Sequence, residues 1–382
     1  MKTLSDMRPV YVVGIGLHPY QNRSQTSYVT LGLRAVREAL ADAAITWPDV
    51  ESAYVGNALI GMAAGAAMLR YLGATGIPFA QVENASASGS TAFRHAAHEV
   101  AAGYTDVSLA MGVDTVDQWR SGPAKAGVRG LADHLSAPFT HFAMLTQKYM
   151  DETGATPEQI AKVAVKNHRN GAFNPYAQRQ QVRTLEEVLA PPLISGVLTR
   201  LQCTPVGEGA AAVIVMSEEG LTRHGIPRSR AVQVLASASR SEQPFGRENG
   251  DVALTRATTL EAYAQASVEP RDIDVVEVHD AFSIEELLYV EAMGFCKPGE
   301  AAAELEAGAF DIGGRHAVSP SGGLIAMGHP LGPTGVGQVA EVVRQLRGEA
   351  GVRQQPNARM GLTHMVGIGP VCLVHILRAA TA

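Results

Sequence analysis

Serine and histidine are the side chains of this 382-residue chain whose surroundings best suit them to chemistry. Ser86 sits at the centre of Val82-Glu83-Asn84-Ala85-Ser86-Ala87-Ser88-Gly89-Ser90, between an apolar approach from Ile77 to Val82 and a helical pattern beginning near Ser90. A nucleophile at the start of a helix has a physical rationale, because unpaired N–H groups there stabilise an anion. A thiol would profit strongly, its pKa falling toward neutrality. A serine hydroxyl needs an adjacent base, and on residue chemistry alone Ser86 is more often a small polar or capping residue. His329 lies in Gly328-His329-Pro330-Leu331-Gly332-Pro333-Thr334-Gly335, where two prolines stiffen the path and the glycines let a ligand approach the backbone. A histidine so held fits a general base or an oxyanion donor, although an isolated Gly-His-Pro would be a satisfied turn. His279 ends a strand pattern at Val278-His279-Asp280-Ala281-Phe282. Polar residues there face the crevice of an open α/β sheet. The alternative for Asp280 is a cap of the following helix, which holds Glu285 and Glu286.

These side chains need elements to position them. Val10 to Gly16 is a buried-strand run stopped by glycine, Leu31 to Ala43 has helical spacing, and Asp49 to Val55 reads as a strand. The same grammar returns late. Thr259 to Ser267 is a helix, Pro270-Arg271-Asp272 a turn and Ile273 to Val278 a strand. Gly335 to Leu346 followed by Arg359 to His364 likewise parallels Ser90 to Ala102 followed by Asp106 to Gly112. An internal duplication of an α/β unit follows, with strand ends and glycine-rich turns of both halves converging on one crevice. The halves span residues 1–235 and 236–382. The first carries an insertion at about 118–201, with a helix from Pro157 to His168 and the loop Asn174-Pro175-Tyr176. Val206 to Val215 is too apolar for a surface loop and rejoins the sheet.

Composition narrows the function classes. A net charge of −6 and the absence of a basic run argue against nucleic acid as a partner. Cys203, Cys296 and Cys372 show neither metal-ligand spacing nor a paired framework, which fits a reducing cytoplasm and no metal. No window reaches the ~20 apolar residues of a membrane span, and the N-terminus lacks a signal-peptide pattern.

Taken together, the motifs resemble the thiolase superfamily, nearest the sterol-carrier-protein-x type and lipid-transfer-protein-like thiolases. The resemblance runs over almost the whole chain. It includes Val-Val-Gly-Ile-Gly, Val-Lys-Asn-His-Arg-Asn-Gly-Ala-Phe-Asn-Pro-Tyr-Ala-Gln, Cys-Thr-Pro-Val-Gly-Glu-Gly, His-Asp-Ala-Phe-Ser, Ser-Pro-Ser-Gly-Gly, Gly-His-Pro-Leu-Gly and the final His-Met-Val-Gly-Ile-Gly. It implies an α/β thiolase fold of two duplicated βαβαβαββ halves in a five-layer αβαβα arrangement, a homodimer, and action on an acyl-CoA thioester. Coenzyme A would be substrate or product, with no tightly bound cofactor. By the same resemblance Ser86 takes the place of the acyl-accepting cysteine, and His329 that of the histidine activating it. His279 takes a position that helps form an oxyanion hole. The backbone of Gly367 or Gly369 would face the acyl oxygen. Gly322 and Gly323 would approach the substrate, and Arg169 would meet the phosphates or adenine of coenzyme A. The second family cysteine, an acid/base, is missing: the corresponding places read Ala281 and His364 to Gly367. His364 would stand in for it or be a buried polar residue. Ser319 stands where the family usually has Asn.

Three functions follow from this. The first is thiolytic cleavage or Claisen condensation of a β-ketoacyl-CoA, with Ser86 an inactivating replacement at the cysteine position. The second is retro-aldol cleavage of a β-hydroxyacyl-CoA without an acyl-enzyme, with a separate partner carrying an OB-fold and zinc ribbon. The third is a non-catalytic acyl-CoA or lipid-binding subunit. Trp119, Phe139, His141, Phe142 and Met144 are candidates for lining the acyl pocket or for the core of the insertion.

Overall fold

The computed structural model describes residues 3–116, 138–242, 250–368 and 370–380. The first half contributes β1 (Val10–Gln21), α1 (Tyr28–Asp42), β2 (Ser52–Gly56), α2 (Ala64–Leu69), β3 (Phe79–Val82), α3 (Ser88–Ala101) and β4 (Val107–Asp114). The insertion holds α4 (Pro138–Thr153), α5 (Pro157–Ala172), α6 (Leu185–Leu189) and a small hairpin of β5 (Leu193–Ser195) and β6 (Leu198–Thr199). The chain then returns through β7 (Glu208–Ser217) and α7 (Glu218–His224). The second half runs through β8 (Val232–Ser241), α8 (Asp251–Ala266), β9 (Val275–Glu277), α9 (Ser283–Ala292) and α10 (Ala301–Glu306). It ends with β10 (Ala317–Val318), α11 (Gly323–Met327), α12 (Leu331–Leu346), β11 (Met360–Gly367) and β12 (Val371–Arg378).

The duplication is visible in the strand order. The first half is ordered β3-β2-β4-β7-β1 and the second β10-β9-β11-β12-β8, each with two parallel pairs followed by two antiparallel ones. The halves are also one continuous sheet, because β1 pairs β8 through Tyr11↔Gln233 and Val12↔Val232. Among the described residues three large cores and a small one, of Ala87, Met365 and Leu373, fill the space between the layers. Val13, Val55, Leu109 and Ile214 turn one sheet face toward Leu31 and Val36 of α1. The opposite face, with Val12, Val213 and Val215, meets Phe93 and Ala97 of α3 and Val336, Val339 and Val343 of α12 in the central layer. Val276, Leu362, Val374 and Ile376 pack outward against α8 and α9 through Leu254, Tyr263 and Leu287. Alternation along each strand dictates this split, since successive side chains point to opposite faces.

Two local expectations shift. Asp280 does not cap the helix after it. The N-terminus of α9 is closed instead by Glu285, whose Oε2 accepts the Phe282 N–H at 2.9 Å. Asp280 turns the other way, accepting from Leu324 N at 2.6 Å at the start of α11 and from Asn167 Nδ2 of α5 at 2.7 Å. The late helix starts at Asp251, eight residues before the Thr259 start its apolar pattern indicated.

In the central layer, α3 and α12 meet backbone to backbone at their N-termini. A Cβ on Gly89 would lie 2.4 Å from Gly332 O, one on Gly112 2.2 Å from the same oxygen, and one on Gly335 2.5 Å from Ser90 N. Asp114 fastens this junction. Its fully buried carboxylate accepts from Ala58 N at 3.0 Å, Leu59 N at 2.8 Å and Gly332 N at 2.6 Å. Asp114→Ala strands these donors at ~1–3 kcal/mol each, offset in part by water entering the space, for a net loss of about 2–4 kcal/mol. Urea unfolding checks this, and an unchanged midpoint would show that the junction holds without the carboxylate.

Candidate active site

Ser86 and His329 each precede a helix by two residues, α3 from Ser88 and α12 from Leu331. The close junction of those helices brings them together across the two halves. Ser86 Oγ lies 3.0 Å from His329 Nε2, and both residues are buried. The turn carrying Ser86 is forced: Ala85 adopts φ 49°, a left-handed conformation rare for a residue with a Cβ. Ser88 braces it, donating from Oγ to Ala85 O at 2.7 Å and accepting from Asn84 N at 2.9 Å. Asn84 Nδ2 donates to Thr91 Oγ1 at 2.9 Å, tying the turn to the helix.

The protonation pattern of His329 follows from its neighbours. The Thr334 hydroxyl donates to Pro330 O at 2.6 Å, so its oxygen can only accept from His329 Nδ1, 3.0 Å away. Nδ1 therefore carries the proton, and Nε2 presents a lone pair to the Ser86 hydroxyl. Burial, followed by the nearby His279, holds the His329 pKa well below the ordinary value, so the ring stays neutral.

His279 reaches the same place from the end of β9. Its ring stands edge-on to that of His329, with centroids 5.2 Å apart. Nδ1 is 2.9 Å from Glu285 Oε1, while Nε2 is buried without a partner among the described residues. Burial pushes the Glu285 carboxyl up, and the charge of His279 pulls it partly back.

His364 behaves differently. Its Nδ1 accepts the His279 main-chain N–H at 3.4 Å, and Nε2 donates to Thr255 Oγ1 at 2.9 Å. Both ring nitrogens are taken inside the protein and burial depresses its pKa well below normal, leaving nothing to present to a ligand. It props the backbone that carries His279. Gly367 ends β11 directly against the serine turn, where a Cβ would lie 2.2 Å from Asn84 O. Gly369 and Trp119 lie outside the described residues.

Gly322, with φ 107°, packs against Gly171, and a Cβ on Gly323 would meet Asp280 Oδ2 at 2.2 Å. These glycines hold the loop to α5 and to Asp280, and in this structure they face protein. Arg169 is half-exposed and paired with Asp311 at 2.6 Å. Among the described residues a basic groove lies elsewhere. A cavity of about 750 Å³ is lined by His168, Arg179, Arg183, Arg200 and Thr204. Its wall is bonded to the segment leading into His329 by Gln178 N to Met327 O at 2.9 Å and Thr204 Oγ1 to Leu324 O at 2.7 Å. Among the pocket candidates, Phe142 stacks on Phe282 at 4.7 Å, whereas Phe139 and Met144 are exposed. The functional candidates that the sequence pattern did not single out are Glu285, Thr334 and the groove arginines. Glu285 had a signal, its place one helical turn after the His-Asp-Ala-Phe strand end, but a carboxylate there also reads as a capping group.

Cys203 borders this centre through a bridge to Phe282, and its thiol bonds to Thr199 O at 3.3 Å. Burial pushes Cys203, Cys296 and Cys372 each up to about 12. The two duplicated halves of one sheet and the central helices define a thiolase fold. Residues 10–219 match the family model for the thiolase N-terminal domain, and residues 236–377 the thiolase C-terminal domain-like model. The chain belongs to the thiolase family. Human sterol carrier protein 2 is 36% identical over 97% of this chain and 72% of its own length. The benzoylsuccinyl-CoA thiolase subunit BbsB of Thauera aromatica is 36% identical over 95% of each chain. Among solved structures, the Ltp2-ChsH2(DUF35) aldolase superposes with a TM-score of 0.85 at 26% identity, covering 98% of this chain and 99% of that one. Among the described residues no helix is long and apolar enough to cross a membrane.

The geometry makes a direct prediction for the Ser86 position. In Ser86→Cys the new thiol faces the lone pair of His329 at a helix start, whereas the native thiols, Cys203 and Cys372 buried and Cys296 half-buried, are each pushed up to about 12. Iodoacetamide should alkylate the introduced thiol at least ~10-fold faster than any native cysteine, and His329→Ala in that background should abolish the advantage. Peptide mapping reads both. Equal labelling of all four thiols would show that the site does not activate a nucleophile.

Proposed function

We propose that this chain cleaves or forms a carbon–carbon bond beside a coenzyme A thioester by aldol chemistry, acting on a β-hydroxyacyl-CoA without an acyl-enzyme. The observation that carries this reading is what stands behind each histidine. His329 Nδ1 rests on a hydroxyl, Thr334, in a fully buried setting that disfavours the imidazolium. Taking a proton from Ser86 would place an unsupported charge there, so Ser86 is a poor acyl acceptor. His279 has a carboxylate behind it and an Nε2 with no partner among the described residues. In this reading His279 takes the β-hydroxyl proton. The Cα–Cβ bond breaks, and its electrons move onto the thioester as an enolate. The Ser86 hydroxyl, turning its one hydrogen away from His329 Nε2, donates to the enolate oxygen, as donors aimed at developing charge do in acyl-transfer sites.

The groove gathers Arg200 with Arg179, which donates to Cys203 O and Ile325 O, and Arg183, which pairs with Glu187; this concentration of positive charge suits the phosphates of coenzyme A better than the lone Arg169–Asp311 pair. Strand β3 is one edge of the sheet, β10 the other, and Met62 and Tyr71 in the segment between β2 and β3 are exposed at 96% and 70%, which supports pairing of this edge with a second copy. The superposed aldolase is named with a second component, and a separate small partner here fits the same scheme.

Thiolytic acyl transfer is the second reading. It is favoured by the 3.0 Å contact of Ser86 with His329, where a cysteine would be activated, and by the thiolase among the relatives. The wild-type chain and Ser86→Cys, each offered β-hydroxyacyl-CoA or acetoacetyl-CoA plus coenzyme A, separate the two. Release of an aldehyde or ketone and an acyl-CoA by the wild type is the expected outcome. Thioester cleavage of ketoacyl-CoA confined to Ser86→Cys, with no aldol product from either form, would establish acyl transfer instead.

A further inference from the structure

We propose that Glu285 is a positioning residue for His279, holding the Nδ1–H so that Nε2 faces the reacting centre as the proton carrier of the site. The inference rests on the carbon–carbon cleavage reading and adds to it the group that makes one of the two central histidines able to work.

Glu285 is fixed more firmly than a helix-surface carboxylate. It lies in the first turn of α9, is 1% exposed, and has both oxygens engaged. Oε2 accepts the Phe282 N–H at 2.9 Å, which locks the carboxylate to the helix start. Oε1 receives His279 Nδ1 at 2.9 Å and the Tyr289 hydroxyl at 3.1 Å. The His279 main chain is held independently, its N–H bonding to His364 Nδ1 at 3.4 Å. Backbone and ring are thus each tied by a different residue, and the second ring nitrogen is left over.

That nitrogen, Nε2, is buried and without a partner among the described residues. An unpaired polar atom in such a place is costly to leave without a partner, and a bound hydroxyl would relieve that cost. Its orientation is set because an acceptor-only carboxylate can bind only the protonated Nδ1. When Nε2 takes a proton from a β-hydroxyl, the positive charge appears beside Glu285 and is compensated there. The step balances. The hydroxyl proton passes to His279, the carbonyl product leaves, and the enolate carbon receives one proton to become acyl-CoA. No oxidant or further reactant enters. His329 has no such support, since its Nδ1 faces Thr334. The family's cysteine acid/base is absent at Ala281, and the carboxylate sits four residues further along the same segment.

The test uses Glu285→Gln, which keeps the shape and an oxygen for Phe282 N–H. Its amide can present either an acceptor or a donor to Nδ1. Imidazole nitrogen spectra of the folded protein should show His279 as a single Nδ1–H form in the wild type and a mixture of tautomers in the variant. Signals of His329 and His364 should be unchanged and confirm the fold. With β-hydroxyacyl-CoA, kcat should fall on the order of 10²-fold while KM stays within about threefold. Tyr289→Phe, which removes only the second donor to Oε1, should leave the His279 tautomer intact. Identical His279 spectra and kcat in wild type and Glu285→Gln would overturn the proposal. Absence of wild-type turnover would defeat the reaction reading alone. The tautomer result would then decide the role of Glu285, a mixture supporting it and a single unchanged form overturning it.

Discussion

The backbone contact between the starts of α3 and α12 is the constraint on which the site depends. Helices normally keep axes 8–10 Å apart because side chains intervene. Here Gly89 and Gly335 remove the side chains at the crossing, and Gly112 of β4 admits the carbonyl of Gly332 beside it, so main-chain atoms touch. Each helix start carries its chemical residue two positions upstream, so the separation of Ser86 and His329 is fixed by main-chain packing. A single methyl group at the crossing would widen the gap that a 3.0 Å hydrogen bond has to span. The duplication gives this arrangement its symmetry: Ser86 and His329 occupy corresponding positions in the two halves, one a hydroxyl and the other its acceptor.

The loop on the other side of the centre is held by charge. Lys166 of α5, buried with 3% side-chain exposure, donates to Val318 O at 2.6 Å and pairs with Glu286 at 3.0 Å. Arg353 donates to Pro320 O at 2.9 Å and pairs with Glu341, and Ser321 donates to Glu277 Oε2 at 2.7 Å. Burying so many ionisable groups gains little stability over apolar packing, because desolvation cancels most of the attraction. What the groups supply is a fixed path for residues 318–324, where Ser319 is held at φ 54° and Gly322 at φ 107°. Such backbone persists only where its surroundings over-determine it.

Much of this was legible in the residues. Paired helix-turn-strand grammars announced the duplication, because apolar periodicity follows which face is buried and both halves bury equivalent faces. Glycine and proline around His329 announced a stiff loop, since those residues fix backbone by sterics alone. Direction was harder to read. Asp280 could cap the helix that follows it or one 44 residues away, and only the packing of α5 and α11 decides. Arg169 matched a family segment, yet its neighbour Asp311 comes from far along the chain and neutralises it. His364 offered an imidazole at a strand end, and the burial of both ring nitrogens is a product of how α8 and β9 lie against β11.

The same limit explains why the two central histidines could not be ranked from sequence. Both are buried, both lie at strand or helix ends, and each has its Nδ1 bonded within six residues, His279 to Glu285 and His329 to Thr334. The difference is one of charge: a carboxylate can share the burden of an added proton in a low-dielectric interior, and a threonine hydroxyl cannot. A nucleophile–base pair built on His329 must therefore rely on a partner that ionises readily, as a thiol does. With serine in that place the one hydroxyl hydrogen is better suited to being offered in a hydrogen bond than to being given up. Proton transfer then falls to the histidine that has an anion behind it.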